Sequence, residues 1–414
     1  MINTIQIKKM YLDFMVKRGW PIRQSEPLIH STFPHCFVIS GAVDWFNRKL
    51  KKEPFKNEGY AICQRVFRHF DEPDETHLPF FIMAITVSWN LYPREKVITD
   101  NFEFFQHLGL NLNKLKVSYW QGGKIFGKAV KLNADIEKLC QGKEWNKLVK
   151  EGMDIKADTE AVKIWKKCGI KNSQFVPCGE VGSLDPSGLD AILLNAREHF
   201  AGVRSELYYN NLELGPFLYE AFVKKTMAVR DKISQDIFEN NLKGDNFLIK
   251  LKPNAVPGGF GLERLTMAVN NFNSVYELEP YCTMKNFLIN QNVNDEKLIE
   301  QTVAYIPTIL WLIYDGAHLL PRAEHQRRSI YRKVIKTIIK NLRKFELDAD
   351  NIYLKLFEQS IAFYLQDEGF QELKGLEGVF LNEINLQKER MLMEIKEENK
   401  KQKQLDKRQK NNEI

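Results

Sequence analysis

The stretch AVPGGFGLERLTM, residues 255–267, decides how this chain is read, because three glycines within four positions run straight into a helical pattern. The strand-like run NFLIKLK (246–252) precedes it, and a helix is expected from Leu262 through Phe272. Glycines between a strand and a helix often serve only to make the turn. The residues just beyond them argue for more. The first turn of a helix exposes unpaired backbone N–H groups, which suit an anion. Arg264 falls in that turn, where a cation opposes the helix dipole and is a poor choice for stability alone. It makes sense with an anion such as a triphosphate in front of the helix. Glu263 is placed either to anchor that guanidinium or to favour the helix start. Gly259 and Gly261 would let a phosphate approach the backbone closely, while Val256 and Pro257 bring apolar groups to the same corner.

Working outward, CQRVFRHF holds a second arginine arrangement. Arg65 and Arg68 lie three apart on a strand-like segment and therefore point to opposite faces, one free to reach a site while the other pairs structurally. The expected return strand carries Phe80 and Phe81, where an aromatic face can stack on a purine. Singly, each is as well read as a surface arginine or a core phenylalanine. Together they describe strand–loop–strand with Arg, then strand–Gly–helix with Arg.

The 414 residues carry a formal net charge of +7, enough to permit a polyanionic partner without demanding one. Six cysteines (Cys36, Cys63, Cys140, Cys168, Cys178, Cys282) show no C-x-x-C pair and no metal-ligand spacing with histidine, as expected of reduced thiols in a cytoplasmic protein. The start lacks the layout of a secretory signal, and the most apolar windows are interrupted before membrane-spanning length.

Along the chain, residues 4–18 read as a helix, 60–70 and 79–89 as a strand pair, FEFFQHLGL as a short helix and KVSYW (116–120) as a buried strand. Residues 131–168 read as charged, amphipathic helix, and 205–222 as two strands around a turn. From about 284 the pattern is helical, and after 386 it becomes a charged helix fraying into a tail. The expected fold class is α+β: a mostly antiparallel sheet with flanking helices over 1–283, an all-α domain over 284–385, and a tail over 386–414.

These elements, in this order, resemble the class II aminoacyl-tRNA synthetases, specifically the N-terminal part of the alanyl enzymes, over most of residues 4–345. IKKMYLDFMVKRG resembles the opening helix, CQRVFR the start of motif 2, HLPFFIM its return strand and GFGLERL motif 3. DTEAVKIWKKCGI, GVRSELYYNN, LEL and FNSVYELE keep the family order, and LIYDGAHLLP with SIYRKVIKTIIK resembles the start of its helical tRNA-recognition domain. The resemblance implies ATP bound bent on an antiparallel sheet, Arg68 on the α-phosphate, Arg264 toward the γ-phosphate, Mg²⁺ offsetting the phosphate charge, and formation of an acyl-adenylate.

The sequence also departs from that pattern. The family's ammonium-binding aspartate falls here on Val256 or Pro257, neither able to pair a buried ammonium. Ile82 stands for a glutamate, and only Gly202 and Glu206 survive from a Gly-Pro-Cys-rich stretch. Glu213 matches a family glutamate, but Gly215-Pro216 comes after it in place of Trp-Asn. Met83, Gly202, Glu206, Glu213, Val256 and Pro257 are thus the expected acyl-substrate pocket, with the ATP half kept and the acid half rebuilt. The residues that read the acceptor-stem G·U pair are unmatched, yet Arg327, Arg328, Arg332, Lys333 and Lys336 make a basic helix suited either to phosphate contact or to solvent. Three functions are left open: a ligase passing an activated acid to a small molecule or carrier, a miniature synthetase charging tRNA, and a non-catalytic regulatory paralogue.

Overall fold

The computed structural model describes residues 1–33, 36–41, 43, 57–125, 153–178, 200–224 and 248–412. They fall into two units: residues 1–26, 40–65 and 81–272 in the first, and 27–39, 66–80 and 273–414 in the second.

The first unit is built on a seven-stranded sheet of order β1-β2-β9-β8-β7-β3-β6, with β1 Glu58–Phe67, β2 Phe80–Trp89, β3 Leu115–Trp120, β6 Phe175–Cys178, β7 Phe200–Tyr209, β8 Leu212–Lys224 and β9 Leu248–Gly261. A separate short ladder joins β4 Gly123–Ile125 to β5 Met153–Ile155. The expected α+β class forms. The β2–β9, β9–β8, β8–β7 and β7–β3 ladders are antiparallel, and β3–β6 is parallel, so the sheet is mixed at that edge.

One face of the sheet is covered by helices α1 Thr4–Lys17, α2 Arg94–His107 and α3 Thr159–Lys167. The Phe260 ring meets Tyr11 of α1 at 5.5 Å and Phe105 of α2 at 4.9 Å, and Phe217 meets Trp165 of α3 at 5.3 Å. Gly258 shares this face: a Cβ there would lie 2.6 Å from the Phe217 ring and 3.1 Å from Val97 of α2. α1 starts on a capping box, in which Asn3 Oδ1 accepts from the Gln6 backbone N–H while Gln6 Oε1 accepts from that of Asn3. Asp158 caps α3 and receives a buried two-pronged ion pair from Arg94 at 2.6 and 2.7 Å, which fixes the start of α2 to the start of α3.

Two expectations change. The strand expected over 246–252 does not stop before the glycines. β9 runs unbroken through Pro257, Gly258, Gly259 and Phe260 to Gly261, which caps α4 Leu262–Asn270 directly. Their small size answers close packing instead, since a Cβ on Gly259 would lie 2.6 Å from Ile85 Cγ1 on the paired strand. The expected continuous helix over 131–168 is not continuous either: residues 153–155 are strand β5, helix α3 begins at Thr159, and 131–152 lie outside the described residues.

The second unit is mainly helical: α5 Tyr281–Ile289, α6 Glu296–Tyr314, α7 His325–Lys344, α8 Asp350–Tyr364 and α9 Glu377–Asn412. Its core centres on Trp311 of α6, ringed by Phe80, Tyr364 and Phe370. Phe357 of α8 stacks on Phe380 of α9 at 4.1 Å. Past Met391 the side chains of α9 are exposed up to position 402, in keeping with the charged composition there. Among the described residues no helix is long and apolar enough to cross a membrane.

Candidate functional site

Strand alternation assigns each candidate of the first unit to a face. Directly paired residues point the same way, and so do residues two apart. Pro257 pairs with Val87, Gly259 with Ile85 and Gly261 with Met83, while Arg204 pairs with Leu218 and Glu206 with Pro216. The β8–β9 ladder, with Phe217 on Gly258, brings Leu218 level with Pro257. Arg204, Glu206, Leu218, Pro257, Ile85 and Met83 therefore share the face opposite α1, α2 and α3. Val256 pairs with Ser88 and lies on the helix-covered face, where it is buried. Of Val256 and Pro257, it is Pro257 that shares a face with the charged groups.

Two arginine–carboxylate pairs lie on this face. Arg264 Nη1 is 3.2 Å from Glu213 Oε2 and donates to the Glu213 main-chain carbonyl, also at 3.2 Å. A cation in the first turn of α4 is thus offset by a carboxylate across the strands, independently of any ligand. Glu213 sits opposite Tyr208 in the β7–β8 hairpin, beside an irregularity that lets its side chain reach α4. The second pair is Arg204 Nη2 with Glu206 Oε2 at 3.4 Å, and Glu206 also accepts from the Tyr208 hydroxyl at 3.3 Å. Its carboxylate is 3 % exposed, against 15 % for the Arg204 side chain. Cys178, next to this pair, has its thiol pushed up by burial, with a Ser118 hydrogen bond opposing the shift. Gly202 lies further along β7, opposite Glu220 of β8.

Glu263 does not anchor Arg264. Both of its carboxylate oxygens accept from the Ile82 backbone N–H at 3.1 Å, tying α4 to β2. Burial pushes this carboxyl up to about 8, only partly offset by those hydrogen bonds. Phe81 is half-buried, 3.9 Å from where a Cβ on Gly261 would stand. Arg65 is the buried member of the motif 2 pair, and its backbone N–H donates to Ser25 Oγ.

In the second unit Arg68 is about one-third exposed; its Nε donates to the Ile39 carbonyl at 3.1 Å and its Nη1 stands 3.9 Å from Asp71. Phe80 corrects an expectation. It is fully buried and its ring face is taken by Trp311, 5.8 Å away at 16°, so it presents no platform to a purine. Arg327 is a second correction. Its guanidinium is buried and donates to the carbonyls of His30, Phe33 and Cys36, holding a loop to α7 rather than facing a nucleic acid. Lys336 is paired with Glu394 of α9 at 2.7 Å. Lys333 is exposed and Arg328 half-buried, and burial together with Arg390 and Arg328 lowers the pKa of Arg332.

Sequence reasoning missed Arg204. Its signal was present in the Arg-Ser-Glu spacing, which on a strand puts a cation and a carboxylate on one face. Among the described residues no three His, Cys, Asp or Glu side chains cluster as a metal site. Glu213 is the more exposed of the two carboxylates.

The family model for tRNA synthetases class II (A) matches residues 6–414. An alanine–tRNA ligase from Cytophaga hutchinsonii is 24% identical over 364 residues, covering 81% of this chain and 37% of its own length. One from Tropheryma whipplei is 24% identical over 387 residues, covering 90% and 38%. The chain thus spans less than half the length of these relatives. A solved ATP phosphoribosyltransferase regulatory subunit/histidyl-tRNA synthetase from Bacillus halodurans aligns over 65% of this chain and 79% of its own, with a TM-score of 0.36 and 11% identity.

Proposed function

From its membership of the class II (A) tRNA synthetases, the family to which the chain belongs, we propose that the protein is an ATP-dependent ligase that activates a carboxylic or amino acid as its adenylate. In that reaction a carboxylate oxygen of the acid bonds to the α-phosphorus, the bond to the β-phosphate oxygen breaks, and pyrophosphate leaves. The supporting observation is the corner where β9 meets α4: Arg264 in the first turn of a helix whose N-cap, Gly261, supplies no side-chain hydrogen bond. Arg264 would exchange its Glu213 contact for the γ-phosphate, a charge-assisted pairing in which a planar guanidinium binds two oxygens. Phe81 is the candidate to cover the base. Mg²⁺ would neutralise phosphate charge, with Glu213 as the carboxylate to test.

The acceptor of the acyl group is proposed to be a small molecule or carrier. A second reading, transfer to tRNA, is favoured by the grouping of Arg328, Arg332 and Arg390 with exposed Lys333. Arg327 and Lys336 are already engaged within the helical unit and add little to it. A non-catalytic regulatory role is the third.

ATP–pyrophosphate exchange across a panel of acids tests the ligase reading. Exchange with at least one acid, abolished by Arg264→Ala, is the expected result. No exchange with any acid, and no rise of the melting temperature with ATP, would leave the regulatory reading. Charging of tRNA would select the second reading over the first, and failure of tRNA to bind at low salt would remove it.

A further inference from the structure

We propose that Arg328, Arg332 and Arg390 form a socket for a phosphate monoester, the dianionic end group of a phosphorylated small molecule or of an RNA 5′ terminus. The site lies wholly within the helical unit and stands apart from the adenylation reading.

Helix geometry places the three side chains together. Arg328, Arg332 and Lys336 stand four residues apart on α7 and so share one face of that helix. Arg390 and Glu394 stand four apart on α9 in the same way. The two helices are tied where Lys336 Nζ donates to both carboxylate oxygens of Glu394 at 2.7 Å. Tyr331 and Glu383, both N-terminal to that ion pair, also lie together, so α7 and α9 run in the same direction here. One turn before the ion pair, the same faces present Arg332 and Arg390. There the cation of α7 meets a second cation, with Arg328 beside them.

The molecule balances this cluster poorly. All three side chains are half-buried. Burial first, then Arg390 and Arg328, lowers the pKa of Arg332, with Glu383 and Glu394 opposing the shift. Both carboxylates have other commitments. Glu394 is held by Lys336, and Glu383 is buried beside the Tyr331 hydroxyl, which burial and that carboxylate push up. Arg328 donates Nη1 to the Leu320 carbonyl at 3.2 Å, which uses one of the N–H donors in its planar fork. Like charges four apart on a helix are destabilising, and a third beside them adds to the cost.

An oxyanion reverses the sign of that balance. Each guanidinium can pair two of its N–H groups with two phosphate oxygens, and arginine clusters recur where phosphate groups are recognised. A monoester carries a charge of roughly −1.5 to −2 at neutral pH, with three acceptor oxygens. A backbone diester carries about one charge and repeats along a strand, which calls for cations strung out in a row. Cations gathered around Arg332 match the monoester.

The test is calorimetric binding by the full chain of two matched pairs: glycerol phosphate against dimethyl phosphate, and one short RNA hairpin with a 5′-phosphate against the same hairpin with a 5′-hydroxyl. A preference of about tenfold or more for the monoester is expected in at least one pair, and the pair that shows it identifies the source. Arg332→Gln and Arg390→Gln should each weaken the preferred probe about tenfold or more, while Lys355→Gln, an exposed cation of α8, stays within about twofold. Without ligand, Arg332→Gln should melt at or above the wild type, because one of three like charges is gone. A clearly lower melting temperature would make Arg332 structural and overturn the inference. Equal binding within both pairs would describe a surface for backbone phosphates and overturn it, while leaving the tRNA reading intact. Binding of no probe, or full binding by both arginine variants, would overturn it as well. The adenylation reading is untouched by any of these results, since pyrophosphate exchange tests it separately.

Discussion

Replacing Glu263 by glutamine tests whether a neutral carboxyl holds α4 to β2. The carboxyl is buried, its described partner is the Ile82 N–H, and burial raises it from an ordinary 4.5 to about 8. A carboxyl whose folded value lies above its unfolded one binds more protons in the folded state. Its stabilising contribution is then complete below pH 4.5 and disappears as the pH rises through 8. Each unit is worth about 1.4 kcal/mol, so this one group removes on the order of 3 kcal/mol of stability between pH 6 and pH 9. Glutamine keeps an acceptor for Ile82 and cannot ionise. Glu263→Gln should therefore match the wild type within about 1 kcal/mol at pH 6 and exceed it by roughly 2 kcal/mol at pH 9. Denaturant titrations followed by tryptophan fluorescence at pH 6, 7.5 and 9 measure the difference, with the urea dependence checked for constancy. Parallel pH profiles for the two proteins, or a wild-type advantage that grows toward pH 9, would refute the assignment of a neutral Glu263.

Three further outcomes rest on contacts made within each unit. Arg327→Met should destabilise the helical unit by about 2–4 kcal/mol in thermal or chemical unfolding, because the carbonyls of His30, Phe33 and Cys36 lose a buried donor; Lys333→Met, on an exposed position, should change stability by less than about 0.5 kcal/mol. Gly259→Ala should cost about 1–3 kcal/mol, since its Cβ would stand 2.6 Å from Ile85 Cγ1 and 3.2 Å from the Ala84 carbonyl oxygen, and Ile85→Val in the same chain should recover part of that. Glu213→Gln should tighten calorimetric binding of Mg²⁺-free triphosphate about threefold or more by releasing Arg264 from its resident carboxylate; weaker binding would show that Glu213 does not compete for the guanidinium.

The strands and helices were legible because burial imposes a period on the sequence. YAICQRVFRHF and PFFIMAITVSW could be read as adjacent strands from residue type and alternation alone, and they are β1 and β2. The end of this strand was placed too early for a definite reason. Composition makes Gly-Gly-Phe-Gly a turn, but the cause here lies on the neighbouring strands, in Phe217 leaning over Gly258 and Ile85 over Gly259. A local pattern carries no information about a side chain more than a hundred residues away, or on the other strand of a ladder. The same limit explains Arg327. Its basic neighbours mark a charged helix face, and only three carbonyls from residues 30–36 reveal that this one guanidinium points inward.

The site itself was legible one residue at a time and not as pairs. Arg264 was identified from its place in a helix's first turn, yet its partner Glu213 lies fifty-one positions away and is reached only through the β7–β8 hairpin. Val256 and Pro257 could not be separated by sequence, because adjacent strand residues differ only in which face they take, and that is fixed by the register with Val87 and Ser88. Once the register is known, a single-residue slip decides the surroundings: Pro257 joins Arg204 and Glu206 on the face opposite the helices, while Val256 lies against the helix layer. The acid half of the site is therefore defined by register more than by motif.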